Sequence, residues 1–260
     1  MINEELNITL IQTELFWEDA QKNRDDIGKK ISSIPNNTDI IILPEMFTTG
    51  FSMNVSKLAE KFKGETFDWL QKSAKEKDSL IIGSLIVEEN KNFYNRLIAM
   101  FPNGNYEYYD KRHLFRMGNE HTNYSGGNDR LILNYKGWRI YPLICYDLRF
   151  PVWSRNTDNY DILIYIANWP KSRSFVWKHL LIARALENQS YVAGVNRIGT
   201  DGQNLNYSGD SMLINAKGEI INALEANKNT ESTFTIKYSE LKKFREKFPV
   251  ALDADNFKIL

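Results

Sequence analysis

The sequence holds a single cysteine, Cys145, and three histidines, His113, His121 and His179. One cysteine excludes an internal disulfide, and histidines so scattered give no zinc-ligand spacing beside it. They read as ordinary polar residues. An excess of either charge is also lacking, because 33 basic residues balance 33 acidic ones. Without a net field, attraction to nucleic acid or an anionic membrane is not expected, and an acidic ligand must be met by local cations. No apolar run approaches the ~20 residues that span a bilayer. The opening stretch, Met1 to Leu6, carries asparagine and glutamates where a secretory leader has a basic start and an apolar run, so a cytoplasmic setting is expected. No glycine-rich phosphate loop follows a strand-like run; Ser125-Gly126-Gly127-Asn128 stands isolated. Nothing implies a nucleotide, a flavin, any other cofactor or a metal.

What is present suits a globular chain: 260 residues, 42% hydrophobic and 25% charged. Apolar, β-branched runs at Leu6 to Ile11, Asp39 to Leu43, Leu80 to Val87, Leu97 to Phe101, Trp138 to Ile144, Asp161 to Ala167 and Tyr191 to Val195 predict strands. Helix-length segments lie between several of them, at Glu18 to Ile34, Glu65 to Lys77, Ser174 to Asn188 and Ser239 to Lys247. Turn residues at Pro102 to Asn105, Lys136-Gly137 and Lys217-Gly218 predict hairpins. Hairpins mixed with helical crossovers imply mixed sheets, and all-apolar strands such as Ile40-Ile41-Ile42-Leu43 imply burial on both faces. A layered α/β sandwich meets both conditions. With no repeat, low-complexity linker or Pro/Gly-rich break, residues 1–260 read as a single domain.

Reactive residue types fall directly after the buried-type strands: Glu45, Cys145 and the pair Asn168-Trp169. Strand ends in α/β folds form the rim where ligands bind. A carboxylate, a lysine and a thiol are what amide cleavage requires: a proton acceptor, a positive charge at the oxyanion, and a nucleophile. Spacing alone does not bring these groups together.

Three segments do more. Leu43-Pro44-Glu45-Met46-Phe47, Tyr109-Asp110-Lys111-Arg112-His113-Leu114-Phe115 and Leu143-Ile144-Cys145-Tyr146-Asp147-Leu148-Arg149-Phe150-Pro151 resemble, in order, the three catalytic blocks of the nitrilase (carbon-nitrogen hydrolase) superfamily. Asn168-Trp169-Pro170, Arg184 to Asn188 and Gly209-Asp210-Ser211 extend the similarity towards the C-terminus. Asn119-Glu120-His121, the stretch Arg149 to Arg155 and the tail Arg245 to Pro249 are most similar to bacterial omega-amidases. Nitrilases proper more often have tryptophan and glutamate after the nucleophile, where this chain has Tyr146-Asp147.

The resemblance implies a four-layer αββα sandwich. It also implies roles: Cys145 as nucleophile, Glu45 as proton acceptor and donor, Lys111 and the Tyr146 N–H at the oxyanion, and Glu120 bracing the lysine. A neighbouring lysine and base are expected to favour loss of the thiol proton. The implied substrate is a small dicarboxylic monoamide of the 2-oxoglutaramate or succinamate type. Its remote carboxylate would meet Arg116 or Arg173, with Phe47 and Trp169 as walls; the same arginines and aromatics could instead be surface and core. Asp147 and Arg149 read as a structural pair. Other aliphatic amides, nitriles and N-carbamoyl amino acids are alternative substrates, and a silent binding or scaffold subunit is the alternative of another class. The family also implies a homodimer or higher homo-oligomer, with the tail from about residue 248 at the interface.

Overall fold

In the computed structural model, which describes residues 2–259, two mixed sheets face each other between layers of helix. The first sheet runs in the order Thr230–Lys237, Glu5–Gln12, Ile40–Ile42, Leu80–Glu89, Asn92–Met100, Tyr106–Asp110, with the short Glu60–Lys61 also paired to Leu80–Glu89. The second runs Ile220–Ala223, Met212–Ile214, Tyr191–Asn196, Ile162–Ala167, Trp138–Ile144, Leu133–Tyr135. Each has parallel strands at its centre and antiparallel strands at its edges.

Side-chain alternation explains the layering. On the central strand Ile40 and Ile42 join the core shared with the second sheet, whereas Ile41 and Leu43 pack with Ile27, Ile31, Leu70 and Ala74 of the helices Ala20–Ser33 and Glu65–Lys77. Successive side chains of a strand point to opposite faces, so an all-apolar strand is what a sheet covered on both sides needs. Leu80 and Ile82 face the inner core, and Ile81 the outer. On the far side Trp177, Leu181 and Ala185 of helix Ser174–Asn188 cover the second sheet. Full burial of each such side chain contributes roughly 1.5–3 kcal/mol.

The expected strands and helices are present with shifted ends: Asn92–Met100 starts earlier than Leu97, and Ala20–Ser33 replaces Glu18 to Ile34. All three predicted turns join antiparallel neighbours. Thr230–Lys237 was not expected as a strand. It pairs antiparallel with Glu5–Gln12 along its whole length, yet buries Ile236 alone, so it carries little hydrophobic signal. The helix Tyr238–Lys247 that follows is latched by Arg245, which donates to Asp161 Oδ1 at 2.9 Å, Tyr160 O at 2.6 Å and Gln189 O at 2.8 Å. No helix among the described residues is long and apolar enough to cross a membrane.

Candidate active site

The parallel strands share a direction, so their carboxyl ends open on one edge. Glu45 lies beyond Ile40–Ile42, Cys145 directly after Trp138–Ile144, and Asn168 directly after Ile162–Ala167. Lys111 reaches the same edge because two antiparallel reversals bring Tyr106–Asp110 back parallel to Leu80–Glu89. Both turns are sharp: Met46 and Cys145 each have φ of +44°, a left-handed conformation costly for residues with a Cβ. Cys145 opens a 3-10 turn, Cys145–Arg149, whose first N–H groups have no partner within the turn.

The structure brings Glu45, Lys111, Glu120 and Cys145 together. Lys111 is fully buried and donates to Glu45 Oε1 at 2.9 Å and to Glu120 Oε1 and Oε2 at 3.0 and 2.9 Å. Glu120 also accepts the Phe115 N–H at 2.6 Å. Asn95, which the sequence reading missed, donates to Glu45 Oε1 at 2.8 Å and Glu120 Oε1 at 3.3 Å, while its backbone oxygen accepts the Lys111 N–H at 3.0 Å. Asn168 supports Glu45 from the other sheet: its N–H donates to Oε2 at 2.8 Å and its side chain to the Glu45 backbone oxygen at 2.6 Å. Glu45 Oε1 is therefore doubly occupied and Oε2 retains capacity for a further proton.

Burial opposes charge on Lys111, but the carboxylates of Glu120 and Glu45 outweigh it and hold the ammonium well above its ordinary range. Glu120 is raised, chiefly by burial, with Lys111 opposing. The Cys145 thiol is raised well above its usual range by burial and by the Glu45 carboxylate; Lys111 pulls the other way and loses. The lysine favours proton loss, as expected, but burial and the Glu45 carboxylate, the expected base, outweigh it. With two carboxylates already sharing one ammonium, a thiolate would add a third negative charge to a buried site. Cys145 therefore rests as a thiol, and its sulfur could attack only as that proton leaves.

A cavity of about 430 Å3 opens over Cys145, a size typical of small-ligand sites. Tyr146, Trp169 and Arg173 line it as expected, beside Phe51 and Phe115. Arg116 and Phe47 do not. Arg116 is exposed and turned away while Met117 and Gly118 of the same short turn face the cavity. Phe47 is fully buried in the outer core, 5.7 Å from the ring of Trp69. Arg149 lines the cavity instead, and it does not pair with Asp147. Its guanidinium lies 5.3 Å from the Trp169 ring, as that of Arg173 lies 5.2 Å from Phe115. Neither arginine has a carboxylate within ion-pair distance among the described residues. The isolated glycines have a packing use: Gly127 donates its N–H to Lys111 O at 3.1 Å, and a Cβ there would collide with the Asp110 backbone oxygen.

Residues 7–246 match the carbon-nitrogen hydrolase family. The chain belongs to the carbon-nitrogen hydrolase family. Omega-amidase YafV of Escherichia coli K12 is 46% identical to this hydrolase over 256 residues, 98% of each chain. The 2-oxoglutaramate amidase of Bacillus subtilis is 33% identical, covering 82% of this chain and 84% of its own. Among solved structures, XC1258 from Xanthomonas campestris, a CN-hydrolase superfamily protein with an arsenic adduct in its active site, superposes with a TM-score of 0.97. It is 41% identical and covers 99% of this chain and 100% of its own. Nit3 of Saccharomyces cerevisiae, at 21% identity, TM-score 0.88 and 96% coverage of both chains, shares the four-layer fold.

Proposed function

We propose that this hydrolase is an omega-amidase, cleaving the terminal amide of a small dicarboxylic monoamide to the acid and ammonia through a thioester on Cys145. The observation that carries the reading is one cavity in which the Cys145 thiol lies with two guanidiniums, Arg149 and Arg173, that have no carboxylate partner among the described residues. An arginine fork suits a carboxylate, and here each guanidinium lies over an aromatic ring of the wall. The names of the Escherichia coli and Bacillus subtilis relatives support the same substrate class.

In this reading Cys145 Sγ attacks the amide carbon as its proton passes to Glu45. Lys111 and the Tyr146 N–H stabilise the oxygen as it becomes negative. The proton held by Glu45 then goes to the departing nitrogen, which leaves as ammonia, and the thioester remains. Water gives a proton to Glu45 and attacks the same carbon; the thiol recovers its proton as the acid leaves. Glu120 and Asn95 hold Lys111 and Glu45 in register. A reducing cytoplasm fits a nucleophile that must stay a free thiol. We further place residues 1–260 in one domain that pairs with a second copy through the tail from about 248, supported by the exposed Phe248, Leu252 and Phe257.

The test is ammonia release from 2-oxoglutaramate and succinamate beside glutamine, a nitrile and N-carbamoyl-β-alanine, with Cys145→Ala as control. Release confined to the two monoamides and absent from Cys145→Ala is expected. Equal or greater release from the nitrile or the carbamoyl compound would overturn the substrate assignment.

A further inference from the structure

Asp147 is a fully buried carboxylate that the reaction itself does not use. Its four hydrogen bonds go to places that matter. Oδ1 accepts the His113 N–H at 3.1 Å and meets His113 Nδ1 at 2.8 Å. Oδ2 accepts from Tyr109 Oη at 2.8 Å and from the Ile144 N–H at 3.1 Å. Tyr109 and His113 flank Lys111 on the chain, and Ile144 immediately precedes Cys145. One carboxylate thus ties both sides of the lysine to the start of the nucleophile turn.

We propose that His113 and Asp147 form a positioning pair that pins the Lys111 segment to the Cys145 turn and so fixes the spacing between the Lys111 ammonium and the Tyr146 N–H. The inference rests on the thiol-amidase reading above, in which those two groups hold the oxyanion. Three features argue for it. The bond from the Ile144 N–H braces the residue just before the left-handed Cys145, where an unsupported chain would relax. The His113 ring is stacked on Phe150 at 3.8 Å with planes 6° apart, which fixes the direction of Nδ1. Because an ionised carboxylate only accepts, Nδ1 carries the hydrogen and donates. Tyr109 is held in turn by the Trp153 indole N–H, which donates to its hydroxyl at 3.1 Å. Movement of one segment therefore has to break a charge-assisted bond to the other.

Two substitutions separate positioning from packing. His113→Phe keeps an aromatic ring to stack on Phe150 and removes the donor; His113→Asn supplies an amide N–H at the place of Nδ1 and loses the stack. Both are assayed with succinamate well below their unfolding temperatures, which are recorded alongside. His113→Phe is expected to lower kcat roughly 10- to 100-fold, as for a misplacement of about 1 Å, with KM changed less than about threefold. His113→Asn is expected to restore most of that kcat even where it is the less stable of the two. A kcat within about threefold of native in folded His113→Phe, or losses that follow unfolding temperature instead of the presence of the donor, would overturn the proposal. If the native enzyme releases no ammonia from any monoamide, the substrate reading fails, and the pair is judged by acylation of Cys145 with p-nitrophenyl acetate, read as the burst of p-nitrophenolate. Attack on that ester carbonyl builds an oxyanion of the kind that the Lys111 ammonium and the Tyr146 N–H would hold. Rates in the order native, His113→Asn, His113→Phe are expected there, and equal rates would overturn the positioning role.

Discussion

At the floor of the cavity Lys111 is fully buried and bonded to the equally buried Glu45 and Glu120, whereas at its wall Arg149 and Arg173 face the same space with no carboxylate partner among the described residues. Paired charges in a low-dielectric site keep fixed positions and act on whichever carbonyl is presented. Unpaired cations on a surface that water reaches wait for an anion. In the proposed reaction the floor does chemistry common to all acyl groups, and the wall decides which acyl group stays.

Breaking the floor has the largest effect. Cys145→Ala is expected to lower ammonia release on the order of 10^4-fold or more, because the remaining groups have no nucleophile to assist. Lys111→Met follows. It leaves two buried carboxylates facing each other, so a fall in urea-unfolding free energy of about 3–5 kcal/mol is expected along with a loss of activity of roughly 10^2- to 10^3-fold. The lysine also sets a pH dependence. Its ammonium is raised well above the ordinary range, so the folded protein holds that proton more tightly than the unfolded chain. The stabilisation is complete below the ordinary lysine pKa of about 10.4 and is lost as pH climbs through the higher folded value. Unfolding midpoints recorded from pH 8 to pH 11.5 are expected to fall less steeply in Lys111→Met than in the native protein.

Substitutions at the wall sharpen the contrast. Arg173→Leu and Arg149→Leu are each expected to raise KM for succinamate by about 10- to 100-fold, the weight of a charged hydrogen bond of roughly 1.5–3 kcal/mol, with kcat much less affected. The smallest effect is expected at Arg116, which reaches neither region: Arg116→Ala is expected to leave the kinetics unchanged and to move stability by no more than about 0.5 kcal/mol.

Where sequence reading succeeded and where it did not follows from what each residue depends on. Strand runs such as Trp138–Ile144 and helices such as Glu65–Lys77 were legible because hydrophobic periodicity is local. That Glu45, Lys111, Glu120 and Cys145 would come together was legible through block resemblance, not through spacing. Phe47 was misjudged because the left-handed Met46 turns the chain between it and Glu45; residues two apart share a face on a strand but not across such a turn. Arg149 was missed for a related reason. In a 3-10 turn, side chains three apart eclipse, so Arg149 falls on the side of Tyr146 towards the cavity while Asp147 is sent into the protein. Asn95 gave no signal at all. Its importance is a pair of contacts with residues 50 positions before it and 25 after it, which no local pattern encodes.

The most direct measurement compares kcat/KM for succinamate and for butyramide, an amide of the same chain length without the carboxylate, in the native protein and in Arg149→Leu/Arg173→Leu. A native preference for succinamate of roughly 100-fold or more, largely erased in the double variant while butyramide turnover persists, is expected if the floor performs the chemistry and the wall selects the substrate. Native enzyme that treats the two amides alike, or a double variant that keeps the full preference, would contradict it.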